Sequence, residues 1–202
     1  EGPGFQRVAM VIIMLPMWVN FLLRTYAWMA ILENNGILNN FFEAIGLFDL
    51  INGLFGTDIS FFPMIRTQGA VVLGMVYNYL PFMVLPIYSV IIKLDHSLVE
   101  AARDLGASPM KAFLTVSLKL TLPGLLSGVV LTFVPSMGLF FIADLLGGNK
   151  VVLVGNLIQT QLMNAHNWPF AAALSVVLLV LTTVILWLYR KLSGVKDLEG
   201  IV

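Results

Sequence analysis

The chain has 202 residues, 59% hydrophobic and only 11% charged, with 11 basic and 11 acidic side chains and a formal net charge of zero. Soluble domains carry about 25% charged residues, so this composition belongs in a bilayer, and the charge balance leaves no basic footprint for nucleic acid. The absence of cysteine excludes disulfides, thiolate metal sites and cysteine nucleophiles, and the two histidines, His96 and His166, have no metal-ligand spacing around them.

The opening Glu1-Gly2-Pro3-Gly4 runs at once into an apolar segment with Arg7 ahead of it. No small-residue cleavage site closes a short hydrophobic core, so the segment reads as a membrane helix of a fragment, not as a signal peptide. Four apolar segments occur in order, at 8–32, 69–92, 124–143 and 170–189. At about 1.5 Å rise per residue, some 20 residues cross the roughly 30 Å hydrocarbon layer, and all four are long enough. Pro16 and Pro135 predict kinks in the first and third.

The first connection begins at Asn34-Asn35-Gly36, which ends the first helix. Leu38, Phe41, Phe42 and Ile45 then recur at helical spacing and predict a short helix before Gly46. Asn52-Gly53 and Gly56-Thr57-Asp58 read as turns, and Phe61-Phe62-Pro63 as an interfacial anchor. In the last connection, 151–163 is apolar with Asn156, Gln159 and Gln161 interspersed, which leaves a broken or a half-inserted helix open.

The middle connection carries the most organised pattern. Ser97 and Glu100 have capping-box spacing and set a helix start. Leu98, Ala101, Ala102 and Leu105 form one apolar stripe, while Glu100, Arg103 and Asp104 occupy other faces. Gly106 can adopt a positive φ as the helix stops, and Ser108-Pro109 reads as the cap and first turn of a second helix. A helical hairpin of this kind has two readings: a solvated loop that happens to be helical, or a docking surface for a partner protein. No phosphate loop of the G-x-x-x-x-G-K-[ST] type occurs, so any nucleotide that drives this chain binds on a separate subunit.

Four crossings leave both ends on one side. Arg7, Lys93, Arg103, Lys111, Lys119, Arg190, Lys191 and Lys196 fall on that side, against Arg66 and Lys150 on the other. The positive-inside rule places the hairpin and both ends in the cytoplasm. Arg24 is the one charge within the first span; it either snorkels to the headgroups or pairs with an acid of the outer region. Thr132 and Ser136 are expected to satisfy nearby carbonyls.

Glu100-Ala101-Ala102, Gly106 and Leu122-Pro123 resemble the EAA loop of the inner-membrane permease subunits of bacterial ABC importers: EAA, three residues, G, nine residues, I, any residue, LP. Val116 stands at the isoleucine position, and Leu122-Pro123 falls a few residues late, which implies a longer linking helix. The stretches 94–108, Tyr79 to Tyr88 and Gly138 to Gly148 resemble more narrowly the spermidine/putrescine permeases, and the likeness covers nearly the whole chain.

The resemblance implies an all-α fold, a polytopic membrane helix bundle of the ABC importer permease type. Residues 1–202 would be its C-terminal part, four of about six transmembrane helices, with 95–109 the cytoplasmic EAA coupling helix. It implies a multi-pass protein of the bacterial inner membrane with no covalent chemistry of its own. The implied partners are a second homologous permease, a cytoplasmic ATPase dimer holding ATP and Mg, a periplasmic solute-binding protein, the lipid bilayer and a polyamine substrate. Glu100, Ala101, Ala102, Arg103, Asp104 and Gly106 would form the ATPase contact.

For a polyamine, Tyr77, Asn78 and Tyr79 offer aromatic faces and an amide acceptor, with helix packing as the competing reading. Trp28 has the same two readings, solute contact or interface anchor. Asp144 closes the third span on the outer side beside Gly147-Gly148; with Glu33, Glu43, Asp49 and Asp58 it gives that side an acidic bias. A permease for another solute, such as an amino acid or phosphonate, and a non-transport membrane scaffold are the alternatives.

Overall fold

The computed structural model describes residues 3–148 and 150–193. Glu1, Gly2, Asn149 and Lys196 lie outside the described residues, as do the side chains of Arg7 and of residues 3, 6, 192 and 193. Every regular element among the described residues is helical. In order these are α1 (Pro3–Met14), a 3-10 turn (Leu15–Trp18), α2 (Phe21–Leu32), α3 (Ile37–Ala44), α4 (Leu47–Phe55), α5 (Gln68–Ile91), α6 (His96–Asp104) and α7 (Pro109–Ala112). A π turn (Phe113–Ser117), α8 (Leu118–Met137), α9 (Phe141–Gly147), α10 (Val154–Met163) and α11 (Trp168–Ser193) complete the described chain.

Among the described residues α5, the continuous helix Pro109–Met137 and α11 are long and apolar enough to cross a bilayer, and a bent pair, Val8–Trp18 with Phe21–Ala44, makes a fourth if counted as one span. The expected kink at Pro16 is therefore a break of 97°. Its cause lies four residues on: Val19 is extended (φ −82°, ψ 138°), and Asn20 caps a new helix by accepting from Leu22 N–H at 2.8 Å. The third span also differs from expectation. It begins at Pro109, runs through the π turn and ends at Met137, so 138–143 lie beyond it.

The chain divides into two compact units. The first comprises Glu1–Asn78 and Met137–Ala172. Its core is Leu32, Ile65, Ala70, Val71, Ile142, Ala143 and Leu146, with Trp28 and Met75 packed against it. α9 thus supplies the centre of the unit, and α2 and the start of α5 close over it. Close approach is possible because a Cβ on Gly74 would fall 2.5 Å from Leu146 Cδ1, and one on Gly147 would fall 3.0 Å from Val71 Cγ2.

The 33–66 connection in this unit is a small structure of its own. The predicted short helix is present as α3, but Asn52-Gly53 is no turn; both lie inside α4. Asn52 instead uses its side chain to hold the following loop, accepting from Ile59 N–H at 2.9 Å and donating to Ile59 O at 3.0 Å. Of the expected interfacial anchor, Phe61 is exposed and Phe62 turns inward. It packs on Phe48 and Phe42, with ring centroids 5.2 and 5.8 Å away, and the buried Asn39 amide bonds both its N–H and its C=O.

The second unit comprises Tyr79–Ser136 and Ala173–Val202. Within it α8 presses on the latter part of α5 through Gly124 and Gly128, four residues apart on one face. A Cβ on Gly124 would lie 2.8 Å from Pro86 O, and one on Gly128 would lie 3.0 Å from Met83 O. Small residues at this spacing let helices meet backbone to backbone, where lipid offers no hydrophobic drive to association. On α8, Ser127 shares a 2.8 Å hydrogen bond with Tyr189 of α11, which joins those two helices.

Candidate functional site

The hairpin predicted over 95–109 is present in the second unit. Its first helix starts two residues earlier than the capping-box reading placed it: Asp95, not Ser97, is the N-cap, and its Oδ1 accepts from Ser97 N–H at 2.9 Å. Both residue types are competent caps; the carboxylate adds a full negative charge at the positive end of the helix. The Ser97 backbone donor, then the Ser97 side chain, hold the Asp95 carboxyl below the ordinary carboxylate range.

A depressed acid stabilises the folded helix above its unfolded pKa, and that contribution is lost as the pH falls through the folded value. Hydrogen exchange at the first turn of α6 should therefore accelerate, relative to the rest of the hairpin, when the parent protein is acidified through that range. In Asp95→Asn, which keeps an oxygen acceptor, the acid-dependent change should vanish. A parent profile flat in pH would contradict this cap.

The end of α6 is a Schellman closure. Gly106 N–H donates to Arg103 O at 2.9 Å and Ala107 N–H to Ala102 O at 3.1 Å, with Gly106 at φ +84°. A Cβ at Gly106 would meet nothing within 4 Å, so the glycine is required by its left-handed backbone and not by crowding at the bend. Ser108 caps α7 through Lys111 N–H at 3.3 Å, with Pro109 in the first turn, as its sequence indicates. Ala112 is buried where α7 packs against its neighbours.

The apolar stripe of α6 has no cover within the described residues. Leu98 is 48% exposed and Leu105 is 90% exposed, and Met110 and Phe113 continue the surface at 67% and 52%. Beside the stripe Glu100, Arg103, Asp104, Ala107 and Pro109 line an open concavity of about 370 Å³. One rigid hairpin thus presents a greasy rim with both charge signs next to it. The π turn follows immediately and leads into the membrane-crossing helix, so a push on α6 has a short covalent route into α8.

Of the polar membrane residues, the structure brings Trp28 and Tyr77 together, edge to face at 5.3 Å. Asn78 is 3% exposed; its Nδ2 donates to Gly74 O at 2.8 Å, and its Oδ1 is buried without a partner. Tyr79 belongs to the second unit, tilted against Phe82 at 6.2 Å. Arg24 has its Nε and Nη1 buried and without a hydrogen-bond partner. Thr132 and Ser136 bond backbone oxygens one turn back, at 2.9 Å to Gly128 O and 2.7 Å to Phe133 O.

Asp144 does not close the third span. It sits in the middle of α9, half-buried, and its Oδ1 accepts from Asn156 Nδ2 of α10. Asn156 and Asp95 are the polar residues that the sequence pattern did not single out. For Asp95 the signal was present, an acid two residues before a serine at a helix start; for Asn156 it was the first of three amides in an apolar run.

The chain is matched over residues 2–194 by the family described as binding-protein-dependent transport system inner membrane component. It is 42% identical over 189 residues to the spermidine/putrescine transport system permease protein PotB of Haemophilus influenzae, covering 94% of this chain and 63% of that protein. The PotB protein of Escherichia coli K12 is 42% identical over 182 residues, covering 90% of this chain and 62% of its own length. The inner membrane ABC transporter permease protein YdcU of the same organism is 32% identical over 91% of this chain and 59% of its own. The chain thus spans less than two thirds of the length of these relatives. A crystal structure of a bacterial ABC transporter involved in the import of the acidic polysaccharide alginate superposes with a TM-score of 0.73 over 98% of this chain and 68% of that one, at 15% identity, and so shares the fold. The chain belongs to the family of binding-protein-dependent transport system inner membrane components, the permeases of ABC importers.

Proposed function

We propose that this chain is part of a permease subunit of an ATP-driven polyamine importer in a bacterial inner membrane. The observation that carries the solute class is the 42% identity, over 94% of the chain, to a spermidine/putrescine permease. In this reading a second homologous permease completes the path, a periplasmic binding protein delivers solute, and ATP with Mg is consumed on a cytoplasmic ATPase dimer. The hairpin and the chain ends face the cytoplasm, in line with the excess of basic residues on that side.

Coupling runs through the hairpin. Leu98, Leu105 and Met110 bury their exposed surface in a groove of the ATPase, and Glu100, Arg103 and Asp104 set its register through rim contacts. Closure of the ATPase dimer moves α6, and the short link through the π turn passes that displacement to α8 as a rigid-body shift. In the first unit, Asp144 offers a carboxylate to an ammonium group, and the Trp28–Tyr77 pair and Asn78 supply an aromatic wall and an amide acceptor.

Uptake of labelled putrescine, spermidine, an amino acid and a phosphonate, in cells with and without the gene, tests the solute class. Loss confined to the polyamines is the expected result; loss confined to another solute would contradict it. Asp144→Asn should raise the KM for spermidine uptake about ten-fold, the scale of one charge-assisted hydrogen bond. An unchanged KM would assign Asp144 to packing alone.

A further inference from the structure

We propose that Asn156 is a positioning residue that fixes the Asp144 carboxylate as a preset anion for an alkylammonium group of the solute; the inference rests on the role given to Asp144 above. Asn156 is 6% exposed and stands in the first turn of α10. Its carboxamide is committed at three points. Nδ2 donates to Asp144 Oδ1 and to Phe140 O at 3.1 Å, and Oδ1 accepts from Leu153 N–H at 3.2 Å.

That set permits one orientation only. A flipped amide would point its oxygen at a carboxylate and a carbonyl, and would turn its donors on the Leu153 N–H. The backbone is seated to match. A Cβ on the preceding Gly155 would lie 2.5 Å from Gly138 O, so the first turn of α10 rests directly on the segment that leads into α9. Asn156 thereby reaches both the backbone before α9 and the acid within it.

The consequence falls on Asp144. One carboxylate oxygen is held by the amide, while the other has no hydrogen-bond partner among the described residues and is not among the buried unpaired atoms. The group is a half-buried carboxylate clamped through one oxygen, which leaves the second oxygen to accept from a single N–H donor. Clamping removes the rotamer freedom that a free aspartate loses on binding a cation, so Asn156 acts on affinity through Asp144 and touches no solute itself.

The test uses the complete transporter in proteoliposomes with its binding protein, and spermidine as the probe. Asn156→Leu and Asn156→Asp should each raise KM about ten-fold while Vmax stays within about two-fold, since each removes a hydrogen bond to a charged group. One double variant separates the charge at position 144 from the bond alone. The exchange Asp144→Asn with Asn156→Asp keeps an amide and a carboxylate facing each other but moves the charge to position 156. It should not restore the parental KM. Restoration would show that only the structural bond matters and would overturn the proposal, as would a fall in Vmax at unchanged KM in both single variants. An unchanged KM in Asp144→Asn alone identifies the failure as that of the underlying reading of Asp144.

Discussion

Leu105→Asp is expected to separate the permease from its ATPase while leaving the membrane bundle intact. Leu105 is 90% exposed in the chain, so a charge there costs the fold almost nothing. In the proposed complex the same position is buried. Its apolar contact is worth about 1.5–3 kcal/mol, and an uncompensated carboxylate in its place adds a desolvation cost. ATPase recovered with the purified permease, and hydrolysis stimulated by solute-loaded binding protein, should each fall by more than about ten-fold. Glu100→Ala should act in the same direction but less strongly, because a solvated rim charge contributes little to affinity. Equal recovery of the ATPase with parent and Leu105→Asp membranes would remove the hairpin from the interface.

Gly124→Leu should have the opposite character, unfolding the second unit without touching any partner surface. The Cβ alone would lie 2.8 Å from the Pro86 carbonyl oxygen and 3.3 Å from Ile87 Cα, both backbone atoms that cannot swing aside. Either α8 retreats from α5 and leaves a gap along the contact, or the carbonyl is displaced; overpacking of this kind costs about 3 kcal/mol. Thermal unfolding of the detergent-purified protein should shift down by several degrees, and the yield of extractable protein should drop. Val129→Leu, on an exposed position of the same helix, should leave both unchanged. An unshifted midpoint in Gly124→Leu would mean that the α5–α8 approach is looser than described.

Long apolar runs made the helical class and three of the spans legible, because about 20 uncharged residues in series have few other structural uses. The hairpin was legible for a different reason: a helix stop that needs a left-handed residue names glycine, and Ser108-Pro109 restarts the chain in the only way proline allows. What failed did so where two signals competed. Pro16 reads as a kink, yet the capping amide of Asn20 turns the kink into a new helix start. The third span reads as starting at Gly124, yet the helix is already continuous from Pro109. Within its π turn, Thr115 returns its hydroxyl to Lys111 O at 2.6 Å. Asn52-Gly53 has the composition of a turn, but its amide serves a loop seven residues on while the backbone stays helical.

The polar site residues were legible as types and not as partners. Asp144 stood out as an acid near two glycines, but its bond to Asn156 closes across 12 residues and a change of helix, beyond the reach of local pattern. Arg24 stood out as the one charge in the first span, but nothing local signals that two of its nitrogens are buried in the first unit.

Cross-linking from position 105 examines the central claim most directly. These 202 residues contain no cysteine, so Leu105→Cys adds one thiol to them, on the exposed rim of the hairpin. In the assembled transporter that thiol is predicted to cross-link to the ATPase subunit, with a yield that changes on adding ATP, and to resist a membrane-impermeant maleimide applied to intact cells. Labelling from outside the cell with no ATPase adduct would contradict the account.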